Sequence, residues 1–414
     1  MRPIVNSFPR RSLAALLLAM ALAACAGPGS PPEVIPGPVS VNVPVTDSLP
    51  EEYAGLVTVL GNDTLAIERW ARTPGRVVAE AVVRAPRTTL RRYVLELAPD
   101  GTMRRFEERI FDPAAPDGRP LRAEVFEATA AGWTRTVIEG DSTRTVQVQA
   151  GAAALPFVDL VHWPFELVLE RAVRQNPGTQ PLLSGGRAMD FRVEPIGADQ
   201  WRLTHPLRGP SVARVDAQGH LLWLDAAGTT RKVVVTRTGY TELEDVARRW
   251  AAADRAGQGL GELSGRGRAE ANVAGAAIVV DYGTPSKRGR QIFGGVVPWG
   301  QVWRTGANRA THFSTSRTLH VGGGGAFLVV PPGEYTLFSV PEPSGGWLII
   351  NEQTGQNGTS YDRSRDLGRV QLQRRDLAEP VERFTIAVEP AGGQGGVLRL
   401  SWDRTELSVP FTVQ

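Results

Sequence analysis

The chain has 414 residues, in which 46 Lys and Arg stand against 43 Asp and Glu, and it contains one cysteine. This near balance, with arginines scattered singly along the chain, is not the charge profile of a nucleic-acid-binding protein, which would concentrate its cations in a patch or motif of the sequence. A single thiol excludes an intramolecular disulfide. The five histidines, His162, His205, His220, His312 and His320, show no metal-ligand spacing, so we predict neither a metal site nor a cofactor.

Residues 1–25 combine a basic start with a short apolar run and a cysteine. Arg2, Arg10 and Arg11 precede the apolar run 13–22, and Cys25 follows two alanines. The run is much shorter than the ~20 residues that span a bilayer, which disfavours an uncleaved anchor. The segment resembles a bacterial lipoprotein signal, in which Cys25 carries the lipid and the membrane is a partner through it. Because residue 26 is alanine and not aspartate, we expect outer-membrane attachment facing the periplasm, with a cell-surface location left open.

Residues 26–50 are rich in Pro, Gly, Ser and Val and have no periodicity. Such a composition buries too little apolar area to offset the conformational entropy of the chain. Prolines also favour extended backbone, so we predict a tether that separates the folded part from the membrane.

Residues 51–239 show short alternating runs, such as 56–60, 77–83 and 93–97, separated by turn residues. Period-two alternation predicts antiparallel strands. An apolar segment, 155–175, interrupts them at a mostly helical spacing, with Pro164 expected to bend or split it. The pattern predicts a meander or half-open barrel with one inserted helix. It is similar in architecture to lipoprotein carriers, which leaves two alternatives: a groove for an acyl chain or a solidly packed core.

Residues 240–268 predict a linker helix followed by a glycine-rich linker. Thr241 and Glu244 have the spacing of a capping box, and Leu243, Val246, Ala247 and Trp250 form one apolar stripe. The helix should end near Gly257, where we place the boundary before the last domain, 269–414.

The C-terminal third carries the distinctive motifs, which are IVVDYGTPSKRGR (278–290), IFGGVVPWG (292–300), VWRTGANRAT (302–311), PGEYTLF (332–338) and WLIIN (347–351). In this order they resemble the bacterial domain-of-unknown-function family 2911. The resemblance implies a compact all-β domain and brings no activity. From the residues themselves, about eight short strands punctuated by Gly and Pro predict a β-sandwich or jelly roll. The whole chain is therefore expected to be mainly β.

Residues 283–311, which connect the first two of these predicted strands, are the candidate binding site. It is too rich in glycine for a helix, and long ordered connections are often functional. Arginine forks pair with carboxylates or phosphates, and indole faces suit sugars or cations. The candidate residues are Lys287, Arg290, Trp299, Trp303, Arg304, Asn308 and Thr311, joined by Tyr361 and Asp362. Alternatively, Trp303 and Arg304 brace the loop, with the guanidinium binding backbone carbonyls, and Tyr361 and Asp362 cap a turn.

No phosphate-binding loop or serine-nucleophile motif is present in the sequence, and catalytic residues stay unassigned. We therefore expect a non-enzymatic envelope protein that binds or scaffolds a hydrophobic, glycan or protein partner. The alternative is a hydrolase acting on envelope material, with its site in residues 287–311. A cleft where Arg290, Arg304 and Asn308 converge with a carboxylate or histidine would favour that alternative.

Overall fold

A computed structural model describes residues 52–175 and 177–414. The predicted signal, its Cys25 and the predicted tether lie outside the described residues. Within them the chain is mainly β, as predicted, and its 24 strands form two large sheets.

The first sheet has 15 strands and is antiparallel except where its two-residue edge strand pairs with the next strand. Eight strands precede the first helix: β1 (Glu52–Leu60), β2 (Asp63–Thr73), β3 (Arg76–Val83), β4 (Thr89–Leu97), β5 (Met103–Phe111), β6 (Arg122–Thr129), β7 (Gly132–Glu139) and β8 (Ser142–Val148). The other seven are β9 (Leu155–Pro156), β10 (Gly178–Ser184), β11 (Arg187–Pro195), β12 (Gln200–His205), β13 (Gly209–Val215), β14 (Leu221–Asp225) and β15 (Val234–Thr238).

This sheet consists of two meanders joined along β1 and β15. Gly55 pairs with Thr238 and Val59 with Val234, so the strand order runs from β8 through β1 and β15 to β9. Because β8 and β9 remain edges, the sheet is open and does not close into a barrel.

The inserted helix α1 (Trp163–Arg174) is shorter than the predicted 155–175 segment. Pro164 lies in its first turn, where a missing N–H costs nothing, so the proline starts the helix and does not bend it. The preceding residues form β9 and an irregular stretch. The carboxylate of buried Glu68 accepts hydrogen bonds from the backbone N–H groups of His162 (2.8 and 2.9 Å) and Trp163 (2.9 Å).

One apolar core contains α1 and side chains from both meanders. Trp133 on β7 and Phe191 on β11 belong to the same cluster as Trp163 and Leu169 of α1. Strands this far apart in the sheet can share a core only if the sheet curves around the helix. The concave face therefore carries α1.

The second helix, α2 (Glu244–Arg255), packs on the opposite face of the first sheet. Its predicted stripe contacts outward-facing side chains, which are Val57, Ile67, Val82, Leu90 and Phe111. The predicted capping box is wrong: Leu243 occupies the cap without a side-chain hydrogen bond, and the Thr241 hydroxyl donates to the Gly239 carbonyl. The Glu244 carboxylate instead accepts from Arg69 at 2.7 Å, because the buried guanidinium offers it an opposite charge.

The second sheet has nine strands: β16 (Ser264–Val273), β17 (Ala276–Pro285), β18 (Thr311–Thr315), β19 (Leu319–Gly323), β20 (Ala326–Val330), β21 (Gly333–Glu342), β22 (Gly345–Asn351), β23 (Asp366–Gly392) and β24 (Gly395–Val413). A 3₁₀ turn, Arg363–Arg365, precedes β23. The order is β16-β17-β18-β21-β22-β23-β24-β19-β20. The sheet folds back so that β16 and β17 lie against β23, enclosing a second core around Trp402, Phe384 and Leu400. Strand β16 begins at Ser264, inside the segment predicted to be a linker.

Candidate functional site

The two sheets meet where the β1–β2 turn contacts the loop 286–310, which connects β17 to β18. The Asn62 N–H donates to the Arg288 carbonyl at 3.0 Å. The Arg288 guanidinium donates through Nη1 to Asp63 Oδ2 at 2.6 Å and through Nη2 to the Leu260 carbonyl at 3.2 Å. The Arg288 side chain is only 7% exposed, so this junction is a buried, charge-assisted contact.

Beside this junction lies a cleft of about 1130 Å³ that is lined by both sheets. The turn 228–232 between β14 and β15, together with Asp159 and Arg208, forms one wall. The loop 286–310 forms the other wall with Arg290, Trp303 and Arg304. A site of this size can hold a ligand larger than a simple ion.

The lining of the cleft is strongly cationic. Seven cationic side chains contribute to it, which are Arg208, Arg231, Lys232, Arg266, Arg290, Arg304 and Arg309. The three acidic side chains are Asp159, Glu262 and Asp281. Asp159 is shared by Arg208 (2.6 Å) and Arg231, and Asp281 pairs with Arg268 (2.8 Å). The carboxylates in the lining therefore leave most of its positive charge uncompensated.

Three cations of this lining, Arg304, Arg290 and Lys232, are held by backbone groups. Among the described residues, none of the three has a carboxylate within 4 Å, and each is held by backbone carbonyls. Arg304 Nε donates to Gly306 (3.3 Å), and Lys232 Nζ donates to Ala227 (2.9 Å). Arg290 uses Nε and Nη2 on Lys287 (3.0 Å) and Ser286 (2.5 Å).

The pKa values reflect this crowding of like charge. Partial burial lowers the pKa of the Lys232 amine, and the positive charges of Arg290 and Arg304 lower it further. Burial also lowers the pKa of Arg304 and of Arg290. Desolvating a cation without an anion costs free energy, and a bound anion would remove that cost.

Of the predicted site residues, five line the cleft: Arg290, Trp303, Arg304, Asn308 and Tyr361. Asn308 also donates to the Ser264 carbonyl at 3.3 Å. The Tyr361 hydroxyl donates to Asp366 at 2.7 Å, and its ring packs on Phe338. Their side chains have structural contacts as well as a face in the cleft.

The other four predicted residues do not line it. Lys287 pairs with Asp403 at 2.7 Å, and Asp362 caps the 3₁₀ turn through Ser364. Thr311 is buried, and its hydroxyl donates to the Thr305 carbonyl at 2.7 Å. Trp299 stacks on Phe293 with a centroid distance of 5.7 Å.

Trp303 braces the loop as well as lining the cleft. Its ring packs against Phe384 (5.0 Å between centroids) and Trp402 (6.0 Å), and its backbone exchanges hydrogen bonds of 2.7 and 2.9 Å with Ser339. Phe293 stacks on Trp299 with an interplanar angle of 20° but meets Trp303 at 84°, so the two indole rings are not coplanar. The packing of Trp303 favours the bracing role that the sequence left open for it.

The structure adds residues that sequence reasoning missed. Lys232, Arg231, Arg208 and Asp159 come from the first sheet, far from the predicted loop in the chain. The turn-forming sequence Gly228-Thr229-Thr230 before two adjacent cations was the available signal, but nothing in it points to a partner in the second sheet.

Neither a metal-binding cluster nor a membrane-spanning helix is present among the described residues. Within residues 52–175 and 177–414, no three His, Cys, Asp or Glu side chains are grouped so that they could hold a metal ion. In the same ranges, neither helix has the length and apolar character needed to cross a bilayer.

Comparison with known families assigns the C-terminal third. Residues 264–411 match the model of a family of proteins of unknown function, DUF2911, as the motifs predicted. The match begins with β16 and includes the loop that contributes Arg290 and Arg304. No curated protein matches the chain.

Proposed function

We propose that this chain is a lipid-anchored cell-envelope protein that binds a polar ligand, without chemical conversion, in the cleft between its two sheets. The observation that carries the proposal is the uncompensated charge of Arg304, Arg290 and Lys232 in a cleft of about 1130 Å³. Cations that are partly removed from water are normally paired, so a chain that leaves three half-buried cations facing a shared cavity is suited to an anionic or hydrogen-bonding partner.

The anchor is supported by the sequence of residues 1–25, with its basic start, short apolar run and single cysteine. We infer outer-membrane attachment facing the periplasm from the residue after Cys25. Cys25→Ser should abolish incorporation of radiolabelled palmitate and move the protein from the membrane to the soluble fraction. Equal labelling of the variant and the unchanged protein would refute the anchor.

The proposed ligand binding is tested by native mass spectrometry of the full chain, which is extracted in detergent from its own membranes. Arg304→Ala removes a cation from the cleft. Arg144→Ala removes one from an exposed position on the edge strand β8 and serves as the control. We expect a bound non-protein mass that is retained in the Arg144 variant and lost in the Arg304 variant. Identical spectra for all three proteins would contradict the proposal.

A hydrolase is the second candidate, because His312 lines the cleft with Arg290, Arg304 and Asn308. Its Nδ1 lies 3.4 Å from the Thr336 hydroxyl, and within the described residues no carboxylate contacts it as an orienting group would. Release of soluble fragments from purified cell envelopes by the full chain, lost in His312→Asn, would establish this function in place of simple binding.

A further inference from the structure

Arg304, Arg290 and Lys232 each keep hydrogen-bond donors that no acceptor among the described residues uses. Arg304 Nη1 and Nη2 have no acceptor among the described residues, since only Nε is used, on Gly306. Arg290 likewise has Nη1 without a protein acceptor, and the Lys232 ammonium uses one of its three protons on Ala227. Backbone carbonyls thus hold each side chain in place while the remaining donors stay available to a ligand.

These donors approach from both sides of the cleft. Arg290 and Arg304 belong to the loop 286–310 of the second sheet, and Lys232 to the turn before β15 of the first. All three side chains line the same cleft, and the positive charges of the two arginines lower the pKa of Lys232. A ligand that contacts all three must accept several hydrogen bonds.

Charge distinguishes between the anions that could do so. A carboxylate carries one negative charge and two oxygens, and one guanidinium fork balances that charge and binds both oxygens. A phosphate monoester carries nearly two charges and three terminal oxygens at neutral pH. Three cations without carboxylate partners match the second group better, because a carboxylate would leave two of them desolvated and unpaired.

We propose that the cleft is a receptor for a phosphate monoester, with Arg304, Arg290 and Lys232 around the phosphoryl oxygens and the rest of the cleft holding the group that carries it. This inference rests on the proposed binding function and specifies its ligand class. The monoester belongs either to a water-soluble molecule or to a lipid headgroup, since both present the same oxygens.

The test is isothermal titration calorimetry on the full chain in detergent at pH 8, where the monoester is dianionic. The probes are glucose 6-phosphate, glucuronate and glucose, which share a ring and differ in charge. We expect glucose 6-phosphate to bind with an affinity that falls as salt rises, and at least about tenfold more tightly than glucuronate. Dihexanoylphosphatidic acid, a soluble lipid monoester, identifies the source: preference for it over glucose 6-phosphate would assign the phosphate to a lipid.

Variants from the two walls link this binding to the cleft. Arg304→Ala and Lys232→Ala should each weaken glucose 6-phosphate binding by about tenfold or more, whereas Arg144→Ala should leave it within about twofold. The Lys232 side chain donates its hydrogen bond within its own turn, to Ala227, so its variant should still fold if the Arg304 variant does not.

Two results would overturn the inference in different ways. If glucuronate or glucose bound as tightly as both monoesters, and the cleft variants weakened that binding, the binding function would stand and the phosphate assignment would be wrong. If no probe responded to Arg304→Ala or Lys232→Ala, and the native mass spectra also showed no ligand, both proposals would fail.

Discussion

Arg288 of the second sheet and Asp63 of the first form an ion pair with 2.6 Å between Nη1 and Oδ2. The contact joins the loop 286–310 to the β1–β2 turn beside the cleft. Both partners are charged and largely removed from solvent, which makes this contact stronger than a surface salt bridge.

Breaking this pair should weaken the junction. Arg288→Ala leaves Asp63 without its partner, and we expect the free energy of unfolding to fall by about 3 kcal/mol, measured by urea denaturation followed by tryptophan fluorescence. Arg268→Ala removes an exposed arginine that pairs with Asp281 and should change stability little. If the two substitutions lowered the free energy of unfolding equally, the Arg288–Asp63 pair would stabilise the protein no more than an exposed ion pair does.

The same junction can be tested through its backbone. Gly61 has φ +61°, and a Cβ there would lie 2.0 Å from the Arg288 carbonyl oxygen. Gly140 has φ +59° with open space around it. Both alanine variants incur the strain of positive φ, about 1 kcal/mol, but Gly61→Ala must also displace the second sheet. We expect a clearly larger drop in melting temperature for Gly61→Ala, and matching drops would contradict the contact.

The N-terminus of α1 depends on one carboxylate. Glu68 is fully buried and accepts hydrogen bonds from the N–H groups of His162 and Trp163. Glu68→Gln replaces one oxygen by an NH₂ that cannot accept, so the free energy of unfolding should fall by about 2–4 kcal/mol. Glu127→Gln, at an exposed position on β6, is the control. Calorimetric melting of both variants decides whether the buried cap stabilises α1.

The stability of the first sheet should depend on pH through His205. Burial among Phe157 and Phe191, and secondarily the charge of Arg208, lower its pKa from 6.5 to about 4. Its Nδ1 also accepts from the Leu207 N–H at 3.0 Å. The pKa of His205 is lower in the folded protein than in the unfolded chain. The stability that neutral His205 contributes is therefore fully present above pH 6.5 and is lost as the pH falls toward 4.

We therefore expect the titration of His205 to lower the free energy of unfolding by at most about 2 kcal/mol between pH 8 and pH 5. His205→Asn keeps an acceptor for Leu207 and removes the titration. Chemical denaturation at both pH values should show a smaller acid-induced loss in the variant, although its stability at pH 8 is lower because ring contacts are gone. An unchanged difference between the two pH values would rule out His205 as the cause.

Several elements were predictable because their signals are local. Alternation of polar and apolar residues indicated the strands, and the stripe from Leu243 to Trp250 indicated a helix, since each pattern depends on the repeat of its own backbone. The motifs of the last third indicated the DUF2911 match. The start of α1 and the cap of α2 were predicted wrongly. Spacing rules consider only neighbours along the chain. They do not reveal that Pro164 lies in the first turn of α1, or that the Glu244 carboxylate binds Arg69 and so does not cap α2.

The sequence by itself determined the strand-rich character of the chain and its two helical segments. It also offered nine candidate site residues without ranking them, which are Lys287, Arg290, Trp299, Trp303, Arg304, Asn308, Thr311, Tyr361 and Asp362. Only the tertiary structure decided that Arg290 and Arg304 share a cleft with Lys232, Arg208 and Asp159, while Lys287 is paired with Asp403. The physical reason is that charge compensation depends on distance in space. The carboxylate that pairs with a cation can lie anywhere along the chain, whereas the periodicity of a segment indicates only its own helix or strand.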